Sequence, residues 1–258
     1  MINVENAVQK ITSRKNPLCA HLRNLATSKS YRDECGEYIC DGKKLLEEAA
    51  ACGAEIKTVI TSSGIPFPVP VDTRVFFAQR GLIDSLSPLK NAQDTLFTCV
   101  MPEEKDFAHT NGTHILLDNV QDPGNVGTIL RTANAFGIKS VILTGGCADT
   151  HNPKTIRATM GAIFRQDVYR MDLPELTKLR NKGFRFIGAA LHENCADISS
   201  VRLDDSIISI GSEGRGLSEA VLSLCDEKIK IPVVPECDSL NAAVAAAIIM
   251  WEATRCLH

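Results

Sequence analysis

The chain has 258 residues, room for one large or two modest domains with a sizeable core. Its formal charge of −3 excludes a general electrostatic hold on nucleic acid, so any such surface must be local. The N-terminus lacks an apolar signal-peptide core, and the only long apolar run, 242–251, is too short to span a bilayer, which points to a cytoplasmic protein without a membrane anchor. Ten cysteines are scattered, with no CxxC pair and no Cys/His spacing of a zinc site, so they read as reduced core residues and no metal is expected.

Residues 1–32 carry Lys10, Arg14, Lys15, Arg23, Lys29 and Arg32 against one acid, Glu5. Such a run is either a solvated helix face or a local phosphate-binding patch. Leu18, Leu22 and Leu25 stand at helical spacing and let the segment fold with its basic side outward. Strands are predicted at 36–40, 57–61, within 69–79, and at 95–100, with helices over 43–52 and 81–91. This alternation makes residues 1–100 a small α/β domain. The polar stretch 101–113 is the expected linker.

A second alternation fills 114–258, with strands at 114–118, 140–144, 184–190, 206–210 and 228–231 and helices at 126–136, 153–161, 174–182, 218–224 and 239–255. Short strand–helix connections imply a mostly parallel sheet covered by helices. Ligands bind beyond the carboxyl ends of such strands, which directs attention to the loops after 118, 144, 210 and 231.

The loop after the first of these strands runs Asn119 to Asn125, and Asn125 is placed to cap the following helix. Val126, Ile129, Leu130 and Ala133 form that helix's apolar face. Arg131 lies off it, either as a solvated arginine or reaching over the loop. The loop after Ile210, Gly211-Ser-Glu-Gly-Arg-Gly216, is neither a dinucleotide fingerprint nor a Walker loop. By itself it reads as a tight strand-to-helix turn in which Glu213 and Arg215 pair. Pro232 and Pro235 then forbid regular structure, and Asp238 or Ser239 can cap the last helix. That helix is apolar on nearly every face and should be buried all round, in or beside a homodimer interface.

Together three segments resemble the signature motifs of the SpoU (TrmH-like) RNA 2′-O-ribose methyltransferases of the SPOUT superfamily. They are Asn125-x-Gly127-x-x-x-Arg131, the stretch from Ile210 to Leu217, and Ile231-Pro232 followed by Ser239-Leu240-Asn241. The stretch from Asn152 to Gly161 resembles a further family segment, and residues 10–60 resemble the family's RNA-binding domain, itself similar to some ribosomal proteins. The resemblance implies a C-terminal trefoil knot, which general topology rules disfavour. It implies S-adenosylmethionine held by Gly211, Ile231 and Leu240, and a homodimer. It also implies Arg131, Asn125, Glu213, Ser239 and Asn241 as the catalytic set; the locally basic N-terminal segment then points to RNA contacts at Arg14, Lys15 and Arg23, with Arg157. The substrate is ribosomal or transfer RNA, ribosomal favoured. The alternative is a ribosome-associated RNA-binding module of this fold without turnover. Two residues depart from the family pattern: Ala243, where a small hydroxyl residue is common, and Asp41, where glutamate often precedes the glycine.

Overall fold

The computed structural model describes residues 9–103, 105–108, 111–190, 195–234 and 239–255. They form two units, each with its own sheet and core. One comprises the described chain up to Glu103 together with Asp149–Phe164; the other comprises the rest. No described helix is long and apolar enough to cross a membrane.

The first unit contains β1 (Gln9–Ile11), α1 (Pro17–Thr27), α2 (Lys29–Cys35), β2 (Glu37–Asp41), α3 (Lys43–Ala51), β3 (Ile56–Thr61), β4 (Arg74–Ala78), α4 (Arg80–Leu86) and β5 (Thr95–Val100). Its sheet order is β1-β4-β3-β5-β2, with β1, β4 and β3 parallel and β5 antiparallel to both neighbours. Alternation along β2 sends Ile39 to one face, against Leu22 and Leu25 of α1 and Ile83 of α4. Tyr38 and Cys40 go to the other, against Leu46 and Ala49 of α3. The helix expected over 81–91 stops at Leu86, because Pro88 holds the preceding Ser87 in an extended conformation.

The basic run is smaller on the surface than in the sequence. Arg32 is buried, with Nη2 donating to Asp149 at 2.6 Å and Nη1 to the Leu25 carbonyl at 2.7 Å. Lys29 pairs with Asp33 at 2.5 Å. Lys10, Arg14 and Lys15 stay exposed and Arg23 is half-buried, donating to the Arg14 carbonyl.

The second unit contains β6 (His114–Asp118), α5 (Pro123–Ala135) and β7 (Ser140–Thr144). The chain then leaves it to form α6 (Pro153–Thr159) in the first unit. It returns for β8 (Asp167–Arg170), α7 (Leu173–Asn181), β9 (Arg185–Ala189), β10 (Ala196–Asp197), β11 (Ser206–Gly211), α8 (Glu219–Leu224), β12 (Glu227–Lys230) and α9 (Ala242–Thr254). All seven strands are parallel, in the order β10-β12-β9-β11-β6-β7-β8. The fully buried β6 and β7 are near-continuous apolar runs, as strands covered on both faces must be. The last helix is not buried all round: Ala242, Ala246, Ile249 and Met250 face inward, whereas Val244, Ile248 and Trp251 are exposed along one stripe. Five of the eight described cysteines are buried and none is bonded to another; burial pushes the half-buried Cys225 thiol up to about 11, so it stays protonated at neutral pH.

The expected domain boundary needs correction, because 149–164 belongs with the first unit. Ile156 sits in the core made by Tyr38, Cys40 and Phe97, and the His151 ring lies 4.6 Å from that of Tyr38. The Arg32–Asp149 pair fastens the start of the segment. Burial alone pushes the Asp149 carboxyl up, but the hydrogen bonds from Arg32 and the His151 amide outweigh it and leave it below its ordinary value. The stabilisation is therefore fully present above about pH 4 and is lost as pH falls through the lowered value. Arg32→Met should cost about 3 kcal/mol of folding stability at neutral pH in urea denaturation. The deficit should shrink as pH drops below about 4.

Candidate active site

The strand order of the second unit reverses between β6 and β11. From β6 the chain continues on one side to β7 and β8, and from β11 it continues on the other side to β12. Beyond the carboxyl ends at such a reversal, loops splay apart and leave a crevice. Gly211 and Asp118, the last residues of β11 and β6, are register partners there.

Asp122, not Asn125, caps α5: its side chain accepts from the Asn125 amide at 2.8 Å, and Pro123 occupies the first helical position. Starting the helix one turn early frees the Asn125 side chain, whose Nδ2 donates to Glu213 Oε1. The same oxygen accepts from Asn241 Nδ2 at 3.1 Å and from the Ala242 amide at 3.3 Å. Asn241 Nδ2 also donates to Asn125 Oδ1 at 3.1 Å. Asn241 in turn caps α9, accepting from Ala243 and Val244 at 3.0 and 3.3 Å. The cap is thus neither Asp238, which lies outside the described residues, nor Ser239. Glu213 pairs with the two asparagines rather than with Arg215.

Beside this cluster lies a cavity of about 400 Å³ lined by Gly211, Leu217, Ile231, Ser239, Leu240 and Ile249, among others. The glycine loop closes on itself: the Gly216 amide donates to the Ser212 carbonyl at 2.8 Å, and Gly216 takes φ 66°. A Cβ on Gly211 would collide with the Gly216 backbone and the Leu217 amide nitrogen, so only glycine allows this closure. Apolar walls, exposed backbone and a volume in the range of small-molecule sites fit a nucleoside-sized cofactor.

The structure brings Asn125, Glu213 and Asn241 into one bonded cluster and puts Gly211, Ile231, Ser239 and Leu240 on the cavity wall. Arg131 projects to solvent two turns along α5, about 9 Å from Asn125 on the axis. Arg14, Lys15, Arg23 and Arg157 belong to the first unit. There Arg157 is half-buried, donating to the Asp41 carbonyl at 3.4 Å; with the Gln93 amide turned oxygen-inward, its guanidinium also reaches Gln93 at 2.6 and 2.9 Å. The two departures are accommodated. Asp41 accepts from the Gln93 amide and Ser87, and Ala243 is buried with its amide capped. Sequence reasoning passed over Asp118 and Asn119, although an acid ending an apolar strand is a usable signal.

A parallel α/β sheet with a glycine-closed cavity at its point of strand reversal defines a cofactor-binding domain. The chain belongs to the SpoU methylase family: residues 112–251 match the SpoU rRNA Methylase family. It is 32% identical over 248 residues to the Bacillus subtilis (strain 168) 23S rRNA (guanosine(2553)-2′-O)-methyltransferase RlmP, spanning 95% of this chain and 98% of that one. The AdoMet-bound rRNA methyltransferase of Sinorhizobium meliloti matches with TM-score 0.87 at 28% identity, over 98% of this chain and 99% of that one. The SpoU methyltransferase AviRb of Streptomyces viridochromogenes, solved with AdoMet, matches with TM-score 0.83 at 25% identity, over 94% and 98%.

Asn241 serves two purposes that substitution can separate. Asn241→Ala removes the α9 cap and should lower stability by about 1 kcal/mol in chemical denaturation, whereas Asn241→Ser should restore most of that loss. Neither variant keeps the Nδ2 donors to Asn125 and Glu213, so both should lose activity alike.

Proposed function

We propose that this protein transfers a methyl group from S-adenosylmethionine to a ribose 2′-hydroxyl of ribosomal RNA. The observation that carries the reading is the Asn125–Glu213–Asn241 cluster beside the glycine-closed cavity. Membership of the SpoU family and the AdoMet complexes of similar proteins support it.

Backbone groups of Gly211, Ile231 and Leu240 hold the cofactor, whose sulfonium supplies an already activated methyl. The chain's side chains must then present a poor nucleophile, the 2′-hydroxyl. Asn125 orients the ribose. Arg131 clamps the adjacent phosphate and stabilises the negative charge that develops on the 2′-oxygen as its proton passes to solvent water; a guanidinium with pKa above about 12 is a poor base, but its planar fork suits this contact. Glu213 and Asn241 keep the loops in register, and Ser239 contacts substrate from the cavity wall.

RNA is gripped mainly by Arg14 and Lys15, which are exposed, and by the half-buried Arg23 beside them; Arg157 contributes less, its guanidinium being engaged with Asp41 and Gln93. The exposed stripe Val244, Ile248 and Trp251 covers itself against a second copy in a homodimer. The second unit contains the trefoil knot that the family resemblance implies. The work is done in the cytoplasm, where ribosomal RNA is.

Two measurements test the reading. RNA labelled with methyl-tritiated cofactor and hydrolysed in alkali should release label in an alkali-stable dinucleotide; label in mononucleotides would mean base methylation and overturn it. Arg131→Ala should abolish turnover while cofactor affinity by calorimetry stays within about threefold, because the arginine faces RNA. Arg131→Lys should rescue little, since an ammonium lacks the fork.

A further inference from the structure

Asp118 is a buried carboxylate ending a central strand, and both its oxygens are used. Oδ2 accepts from the Ser218 amide at 2.6 Å and Oδ1 from Asn119 Nδ2 at 2.7 Å. Asn119 Oδ1 accepts from the Gly146 amide at 2.8 Å. The relay therefore joins three loops, those following β6, β7 and β11. The donors converge on Asp118: Gly146 donates to Asn119 and Asn119 to Asp118, while Ser218 donates to Asp118 from the other side.

Two details mark the relay as built rather than incidental. Asn119 adopts φ 57°, a left-handed backbone that asparagine and aspartate tolerate best among residues with side chains. Gly145 has φ 61°, and a Cβ there would come within 2.7 Å of Asn119 Oδ1, so the neighbouring loop is cut to fit this side chain. At the other end, Ser218 is the N-cap of α8 and follows directly on Gly216 and Leu217, which line the cavity and abut Gly211.

We infer that Asp118 and Asn119 are positioning residues for the transfer. The relay sets where the glycine loop ends, and hence the shape of the cavity wall, from the base of the loop, as Glu213 sets it from the tip. The inference rests on reading the cavity as the S-adenosylmethionine site.

The polarity of the relay supplies a sharp test. Asp118→Asn puts an amide NH₂ toward either the Ser218 amide or Asn119 Nδ2, so one donor faces another. Asn119→Asp sets two carboxylates against each other. In the double variant, Asp118→Asn with Asn119→Asp, every contact is restored with one step reversed. The side-chain amide introduced at position 118 would still accept from Ser218 through its oxygen. Its nitrogen would now donate to the carboxylate introduced at position 119, which still accepts from Gly146.

S-adenosylmethionine binding to the full chain is measured by calorimetry, well below the melting temperature of each variant. Native protein that fails to bind refutes the assigned cofactor, and with it the premise of this inference. If native protein binds, each single variant should weaken affinity about tenfold or more, the scale of an unpaired buried polar group. The double variant should return to within about threefold of native. A single Asp118→Asn variant that binds like native, or lowers only the melting temperature, overturns the inference. So does a double variant that binds no better than Asp118→Asn. Should Asp118→Asn fail to fold, the double variant decides alone: it must fold and bind within about threefold.

Discussion

A single carboxylate oxygen, Glu213 Oε1, receives donors from Asn125, from Asn241 and from the first amide of α9. With Glu213 itself, the donors join three stretches far apart in the chain, around 125, 213 and 241–242, and a carboxylate oxygen is the acceptor best suited to so many donors. Asn241 spends its whole hydrogen-bonding capacity there, its oxygen on the α9 amides and its nitrogen on Glu213 and Asn125. Moving any one of α5, the glycine loop or α9 would strand polar groups on the other two.

That arrangement depends on the sheet beneath it. Parallel strands with a reversal of order between β6 and β11 leave a crevice at their carboxyl ends, and register pairing sets Gly211 level with Asp118. Small residues do the rest. Gly211 lets the loop close, and the alanines of α9 bring its backbone near α5 and β11. Chemistry is confined to side chains that such a frame cannot easily displace.

Much of this was legible in the residues. Buried strands such as β6 and β7 announce themselves as apolar runs, and the three motifs mark the loops that converge. The strands that escaped, β1, β8 and β10, all lie at sheet edges, where one side is solvated and no apolar run is needed. Asp122-Pro123 falls within the loop expected over 119–125 because aspartate and proline serve loops and helix starts alike; the carboxylate accepting from Asn125 decides between them. The roles of Asp118 and Asn119 depend on partners at 146 and 218, a long-range pairing that local spacing does not encode. The same is true of Arg32, whose burial is set by Asp149.

The excursion that carries α6 into the first unit bears on how such proteins are inherited. A substrate-binding module held on by one linker can be exchanged between genes as a cassette, cut at that linker. Here the cassette is split, since Ile156, His151 and Asp149 are encoded within the catalytic half yet complete the other half's core. Recombination at the boundary between residues 103 and 104 would separate Arg32 from its counter-ion and Tyr38 from its ring partner. Lineages of this architecture are therefore expected to pass on both halves together, with 149–164 co-varying with residues before 103 rather than with its own sequence neighbours.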